Sequence, residues 1–266
     1  MIPACLQAVS LIAPGLPDWP TARSVLAGHE AWQEEALQPL KPDFLPPNER
    51  RRTTRTIKLA LQVAQQAITQ SDRRPENLAT VFASSCGDME VNLKICHALA
   101  EEGSPVSPIQ FHNSVHNAAA GYWSIALQST APSVSLGAYD GSFGAGLLEA
   151  YTQVVTEGRP VLLVAYDLPP PPPINRVRSL KGPFATAVLV GPDTPEEETG
   201  LGKITPRLVA DQSCAPFQDR ELEAWRTHNP AAASLPLLAA VAVGQKSAPV
   251  IPYTLEHNLQ IHYEGP

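Results

Sequence analysis

Residues 133–150 leave this chain few folds to choose from. Residues 133–138 read as a strand and Tyr139-Asp140 as a sharp turn. Residues 141–156 follow as a helix with Phe143, Leu147, Ala150 and Val154 on its core face. Strand, turn and helix in immediate succession form the elbow that lifts a nucleophile above an α/β sheet. Yet this turn has no cysteine, and its serine is misplaced. A hydrolase elbow needs glycine two residues before the serine; Ser142 has Asp140 there, and itself falls in the first helical turn. The segment reads as an enzyme-type scaffold used for something other than the usual chemistry.

Around it, apolar runs alternate with helical periodicity. Residues 4–13, 78–84, 160–166, 184–190 and 255–263 are expected strands. The run 160–166 is apolar throughout, as in strands buried inside a parallel sheet. Asn48 caps an expected amphipathic helix over residues 50–69, where Ile57, Leu61, Ala64 and Ile68 recur at helical spacing. A further helix places Met89, Leu93, Cys96 and Ala100 on one face, and residues 114–127 and 231–243 are also expected to be helical. Pro105 and Pro108 predict a loop over residues 103–113. The prolines at 169–173 predict a stiff extended loop, and the acidic stretch 193–198 an exposed connection. Strands alternating with helices give an α/β layered fold. No boundary divides residues 1–266, which read as a single domain.

The net charge of −7 disfavours nucleic acid as the main partner. No phosphate-cradling loop or dinucleotide fingerprint occurs, and no apolar run reaches the length of a membrane span. Four cysteines, Cys5, Cys86, Cys96 and Cys214, lack paired spacing, which fits a reducing compartment. The first residues carry no basic leader, so no signal peptide is expected. The expectation is a cytoplasmic protein with no cofactor, no metal, and neither nucleic acid nor membrane as partner.

With these residues laid out, Phe111-His-Asn-Ser-Val-His-Asn117 and Asp140-Gly-Ser-Phe-Gly-Ala-Gly-Leu-Leu-Glu-Ala150 carry a resemblance. The chain resembles the β-ketoacyl synthases, of thiolase-like fold. More narrowly, it resembles the short synthase-like chain length factors of aryl polyene clusters. The resemblance implies a layered α-β-α fold like the N-terminal half of a ketosynthase, with a truncated C-terminal half. In a synthase, the turn bears an acyl-accepting cysteine and the second half supplies two histidines. Here Asp140, or Tyr139 if the register slips, stands where that cysteine would be, and the chain ends about where the second half would begin.

The resemblance thus implies a non-catalytic subunit that pairs with a full-length ketosynthase to elongate chains carried by an acyl carrier protein, with no activity of its own. Residues 133–138 would pair with the partner's counterpart strand. Tyr139, Asp140, Ser142, Phe143, His112, Asn113, His116 and Asn117 are the tunnel or interface candidates. Asp140 is also expected to hold the turn by accepting backbone N–H groups at the helix start. His112 and His116, four apart, fit a polar cluster bracing the elbow better than a metal site, for want of a third ligand. Arg50, Arg51, Arg52 and Arg55 offer a carrier-protein contact, and Arg176, Arg178 and Lys181 a solvated basic loop. The alternative is an independent acyltransferase using Cys86, which opens a helix after a strand.

Overall fold

The computed structural model describes residues 2–101, 103–194, 200–210 and 212–266; residues 195–198 of the acidic connection lie outside them. In chain order the elements are β1 (Ala4–Ile12), α1 (Trp19–Leu26), α2 (Pro47–Arg52), α3 (Arg55–Ile68), β2 (Ala79–Ala83) and α4 (Met89–Ala100). Next come α5 (Pro108–Asn113), α6 (Ala118–Leu127), β3 (Ser133–Leu136), α7 (Ser142–Glu157), β4 (Val161–Asp167) and β5 (Phe184–Pro192). The chain continues through β6 (Lys203–Val209), α8 (Arg220–His228), α9 (Leu235–Val243), β7 (Val250–Pro252) and β8 (Asn258–Glu264).

Among the described residues, eight strands form one sheet in the order β3-β2-β4-β5-β1-β6-β8-β7. β2 runs parallel to both β3 and β4, whereas β4–β5, β5–β1 and every later pair are antiparallel. The largely apolar β4 is therefore parallel on one side only.

Because alternate strand residues face opposite ways, the sheet feeds two cores. Val161, Leu163 and Ala165 of β4 join one with Phe143, Leu147, Ala150 and Val154 of α7 and the apolar α9. Leu162, Val164 and Tyr166 join the other, with α3 and α6. Each such aliphatic side chain withdrawn from water contributes about 1.5–3 kcal/mol. The three layers are helices, sheet and helices. α9 is apolar all round, as a helix covered on several sides must be. It packs on α1, and the 3₁₀ turn Ala231–Ser234 before it covers α7.

Several expectations need correcting. The helix expected over residues 50–69 is two helices: Thr53 is extended, and Thr54 caps α3 by accepting the Ile57 N–H at 3.2 Å. Pro108 starts a helix rather than preventing one, because it occupies the first turn, where no N–H is needed. Ser107 caps it. The next helix starts at Ala118, not Ser114. On α4 the buried residue is Val91; Cys96 and Ala100 are exposed. α1, β6, α8 and β7 carry no apolar run long enough to have been read from sequence.

Candidate functional site

β3 lies at the edge of the sheet and leads into the elbow. At the tip Tyr139 has φ of 52°, in the left-handed region that an aromatic residue enters only under constraint. Ser142 supplies part of that constraint. Its Oγ accepts the Ala138 N–H at 3.0 Å and donates to the Tyr139 carbonyl at 2.7 Å. From the other side, the backbone around β7 presses on the start of α7. A Cβ at Gly141 would overlap the Tyr253 carbonyl oxygen, and one at Gly144 the Pro252 carbonyl oxygen. Glycine is required there by close approach.

Asp140 does not hold the turn as expected. Its carboxylate points away to Arg178, with Nη1 to Oδ1 at 2.6 Å, and the holding falls to Ser142. The same guanidinium lies 3.8 Å from the centroid of the Tyr139 ring. Arg178 therefore grips both residues of the tip. It is not part of a solvated loop: its side chain is 13% exposed. Burial opposes its charge, but Asp140 and then the Cys86 sulfur hold its pKa above the usual value. Its Nε and Nη2 are buried with no aligned acceptor.

Behind the tip, β4 ends in Asp167, 1% exposed. Its Oδ1 accepts from Ser84 Oγ at 3.0 Å, Ser85 N at 2.8 Å and Ser85 Oγ at 2.9 Å. Oδ2 is buried without a partner. Burial pushes its pKa up to about 6 despite the bonds from Ser85 and Ser84 and the charge of Arg178. Cys86, half-buried, lies 3.3 Å from Ser85 Oγ.

The four polar candidates divide into two groups. Asn113 is buried, donating to the Arg52 carbonyl at 2.8 Å and accepting from Tyr122 Oη at 3.1 Å. His112 stands edge-on to the Tyr122 ring. His116, in the turn before α6, places Nε2 3.1 Å from the Ser84 carbonyl. With Asn117 it lines an open groove with Ala120, Gly121, Ser124, Ser133 and Ser135, between α6 and β3. His112 and His116 thus share no helix face. Ser142 and Phe143, 1% and 0% exposed, sit in the core. They build the elbow and do not line the groove between α6 and β3. Tyr139 is 61% exposed, and Phe111, Val115 and Ile125 are exposed as well.

Arg50 pairs with Asp43, and Arg52 with Glu49. Arg55 and Lys58 line an open groove beside residues 37–40. Sequence reasoning missed Ser84, Ser85 and Asp167 as a group. The available signal was a lone carboxylate closing an otherwise apolar strand.

The profile of the β-ketoacyl synthase N-terminal domain matches residues 24–246. No curated protein matches by sequence. Among solved structures, the chain is similar to one in the complex of the ketosynthase ApeO with its chain length factor ApeC from Xenorhabdus doucetiae. That match has 21% identity and a TM-score of 0.75, covering 98% of this chain and 100% of that one. The ishigamide ketosynthase/chain length factor gives 13% identity and a TM-score of 0.75, with each chain wholly covered. AntDE:AntF, a type II acyl carrier protein in complex with its ketosynthase, gives 12% identity and a TM-score of 0.74 over 100% of this chain and 99% of that one. At these identities the likeness is one of fold.

Proposed function

Because the chain belongs to the β-ketoacyl synthase family, we propose that it is a non-catalytic, chain-length-factor-type subunit that pairs with a full-length ketosynthase. The observation that carries this reading is the elbow tip. The residue in the strained position is Tyr139, where a synthase has its cysteine, and its ring lies under Arg178. Condensation needs a thiolate to hold the acyl chain and a base or donor to drive the step. On this reading Tyr139, rather than Asp140, takes the lost nucleophile's place.

Two further features support a partner. β3 is an edge strand whose Pro132 and Leu136 carbonyls bond to β2. Alternation along a strand then turns the N–H and C=O groups of Ser133 and Ser135 towards the open edge. An exposed strand edge is a template for another chain. Beside it lies the groove that His116 and Asn117 help to line, and Tyr139, Phe111, Val115 and Ile125 are exposed apolar residues of the same segments. The ApeO–ApeC and ishigamide complexes supply the kind of partner, a ketosynthase. In such a pair this chain closes the far end of the acyl tunnel with residues at the groove, because overfilling a closed space is costly. Residues 1–266 act as one cytoplasmic unit, and the acyl carrier protein docks mainly on the ketosynthase, with Arg55 and Lys58 as the nearest basic contribution from this chain.

Co-expression with a full-length ketosynthase, followed by size-exclusion and mass analysis, tests the pairing. A 1:1 complex that elongates carrier-bound chains, with neither subunit active alone, is expected. Separate elution of the two chains refutes the reading, as does condensation by this chain unaided.

A further inference from the structure

We propose that Cys86 is an acyl-accepting thiol, served by Ser85 and Asp167 as a proton relay and by Arg178 as a cationic donor to the carbonyl oxygen. The geometry has the order such a relay needs. Ser85 Oγ lies 3.3 Å from Cys86 Sγ and 2.9 Å from Asp167 Oδ1. When Ser85 donates its hydrogen to Asp167, its oxygen is left to accept the thiol proton, giving nucleophile, relay and base in sequence. Asp167 is 1% exposed and ionises at about 6, so near neutral pH it is available as a base. Its second oxygen has no partner.

Arg178 provides a second, independent feature. Nε and Nη2 are buried with no aligned acceptor, although the Cys86 sulfur is near enough to help hold the guanidinium charged. Buried donors left without partners are costly. An oxyanion forming on a carbonyl attacked by Cys86 would satisfy them, as donors do in acyl transfer.

The step balances without an oxidant. Cys86 Sγ attacks the carbonyl carbon of a thioester, and its proton passes through Ser85 to Asp167. The carbon–sulfur bond to the original thiol breaks, and the proton returns to that thiol as it leaves. The product is an acyl group on Cys86 and one free thiol. Loading of this kind is not carbon–carbon bond formation. The choice of thioester among carbonyl electrophiles rests on the function proposed above; the reactivity of the thiol does not.

The test uses the full chain, a short acyl N-acetylcysteamine thioester, intact-mass measurement and peptide mapping. Cys96, exposed on α4, is the internal standard. Acylation of Cys86 at least about tenfold faster than Cys96 is expected, since a flanking cation and base outweigh mere exposure. Ser85→Ala lowers the Cys86 rate by about a hundredfold and leaves Cys96 alone. Should Ser85→Ala not fold, Arg178→Met serves instead, with a loss of about tenfold at Cys86. Faster acylation of Cys96 overturns the proposal, as does a Cys86 rate indifferent to both variants. Iodoacetamide run in parallel separates the claims: alkylation of Cys86 without acyl transfer overturns the acyl assignment. Pairing with a ketosynthase, measured by size exclusion with Cys86→Ser, is independent of all these outcomes.

Discussion

Replacing Asp167 with asparagine should change how stability depends on pH, in a direction the structure dictates. The carboxyl is fully buried, and its pKa rises from 3.8 in the reference state to about 6. Between those values the folded chain holds a proton that the unfolded chain has released, so stability falls as pH rises through this window. Above the folded value the cost is complete. At about 1.4 kcal/mol per pH unit, a rise of about two units amounts to about 3 kcal/mol. An amide in place of the carboxyl carries no such term. Its oxygen can still accept from Ser84 and Ser85, and any penalty from its unpartnered NH₂ is the same at every pH. The stability of Asp167→Asn minus that of the parent should therefore increase by about 2.5 kcal/mol between about pH 4 and pH 7.5. Urea unfolding followed by tryptophan fluorescence across that range measures it. A difference that stays flat, or shrinks as pH rises, refutes the assignment of a buried, reluctantly ionised carboxylate.

Other substitutions probe the elbow and the edge. Phe143→Ala, in a fully buried position, should cost about 3–5 kcal/mol in chemical denaturation, as large-to-small core changes do. Gly141→Ala, whose new methyl would meet the Tyr253 carbonyl oxygen, should cost about 1–3 kcal/mol or more and lower the melting temperature. Arg178→Met removes an ion pair to the largely exposed Asp140, but also two buried donors without acceptors. Its net cost should stay within about 1 kcal/mol by thermal unfolding. Ser135→Pro deletes an N–H that faces the open edge of β3, so the isolated chain should keep its far-ultraviolet spectrum while the complex with a ketosynthase disappears on size exclusion.

What could be read from sequence follows from how far each cause acts along the chain. α7 and β4 were legible because local periodicity decides them: Phe143, Leu147, Ala150 and Val154 repeat at helical spacing, and all four are buried. The break between α2 and α3 was hidden, since a single threonine cap interrupts an otherwise continuous pattern. Pro108 was misread because the same residue forbids a helix interior and favours a helix start. The site was harder still. The elbow was visible, but the left-handed backbone at Tyr139 was not, since no side-chain pattern reveals it. Arg178 looked like one of three loop cations, and only folding shows that it leaves solvent to grip a turn 38 positions earlier, counting from Asp140 to Arg178. Ser85 and Asp167 are 82 residues apart and meet only because β2 and β4 are neighbours.

The pressure of β7 on the start of α7 has a consequence for the order of assembly. A ribosome releases the turn at Tyr139 more than a hundred residues before it makes Tyr253, whose carbonyl abuts that helix start. The nascent elbow must wait, with one flank of its helix bare, for the final hairpin to arrive. Premature termination before residue 250 should therefore yield chains that aggregate or are degraded, rather than a smaller working version of the same subunit.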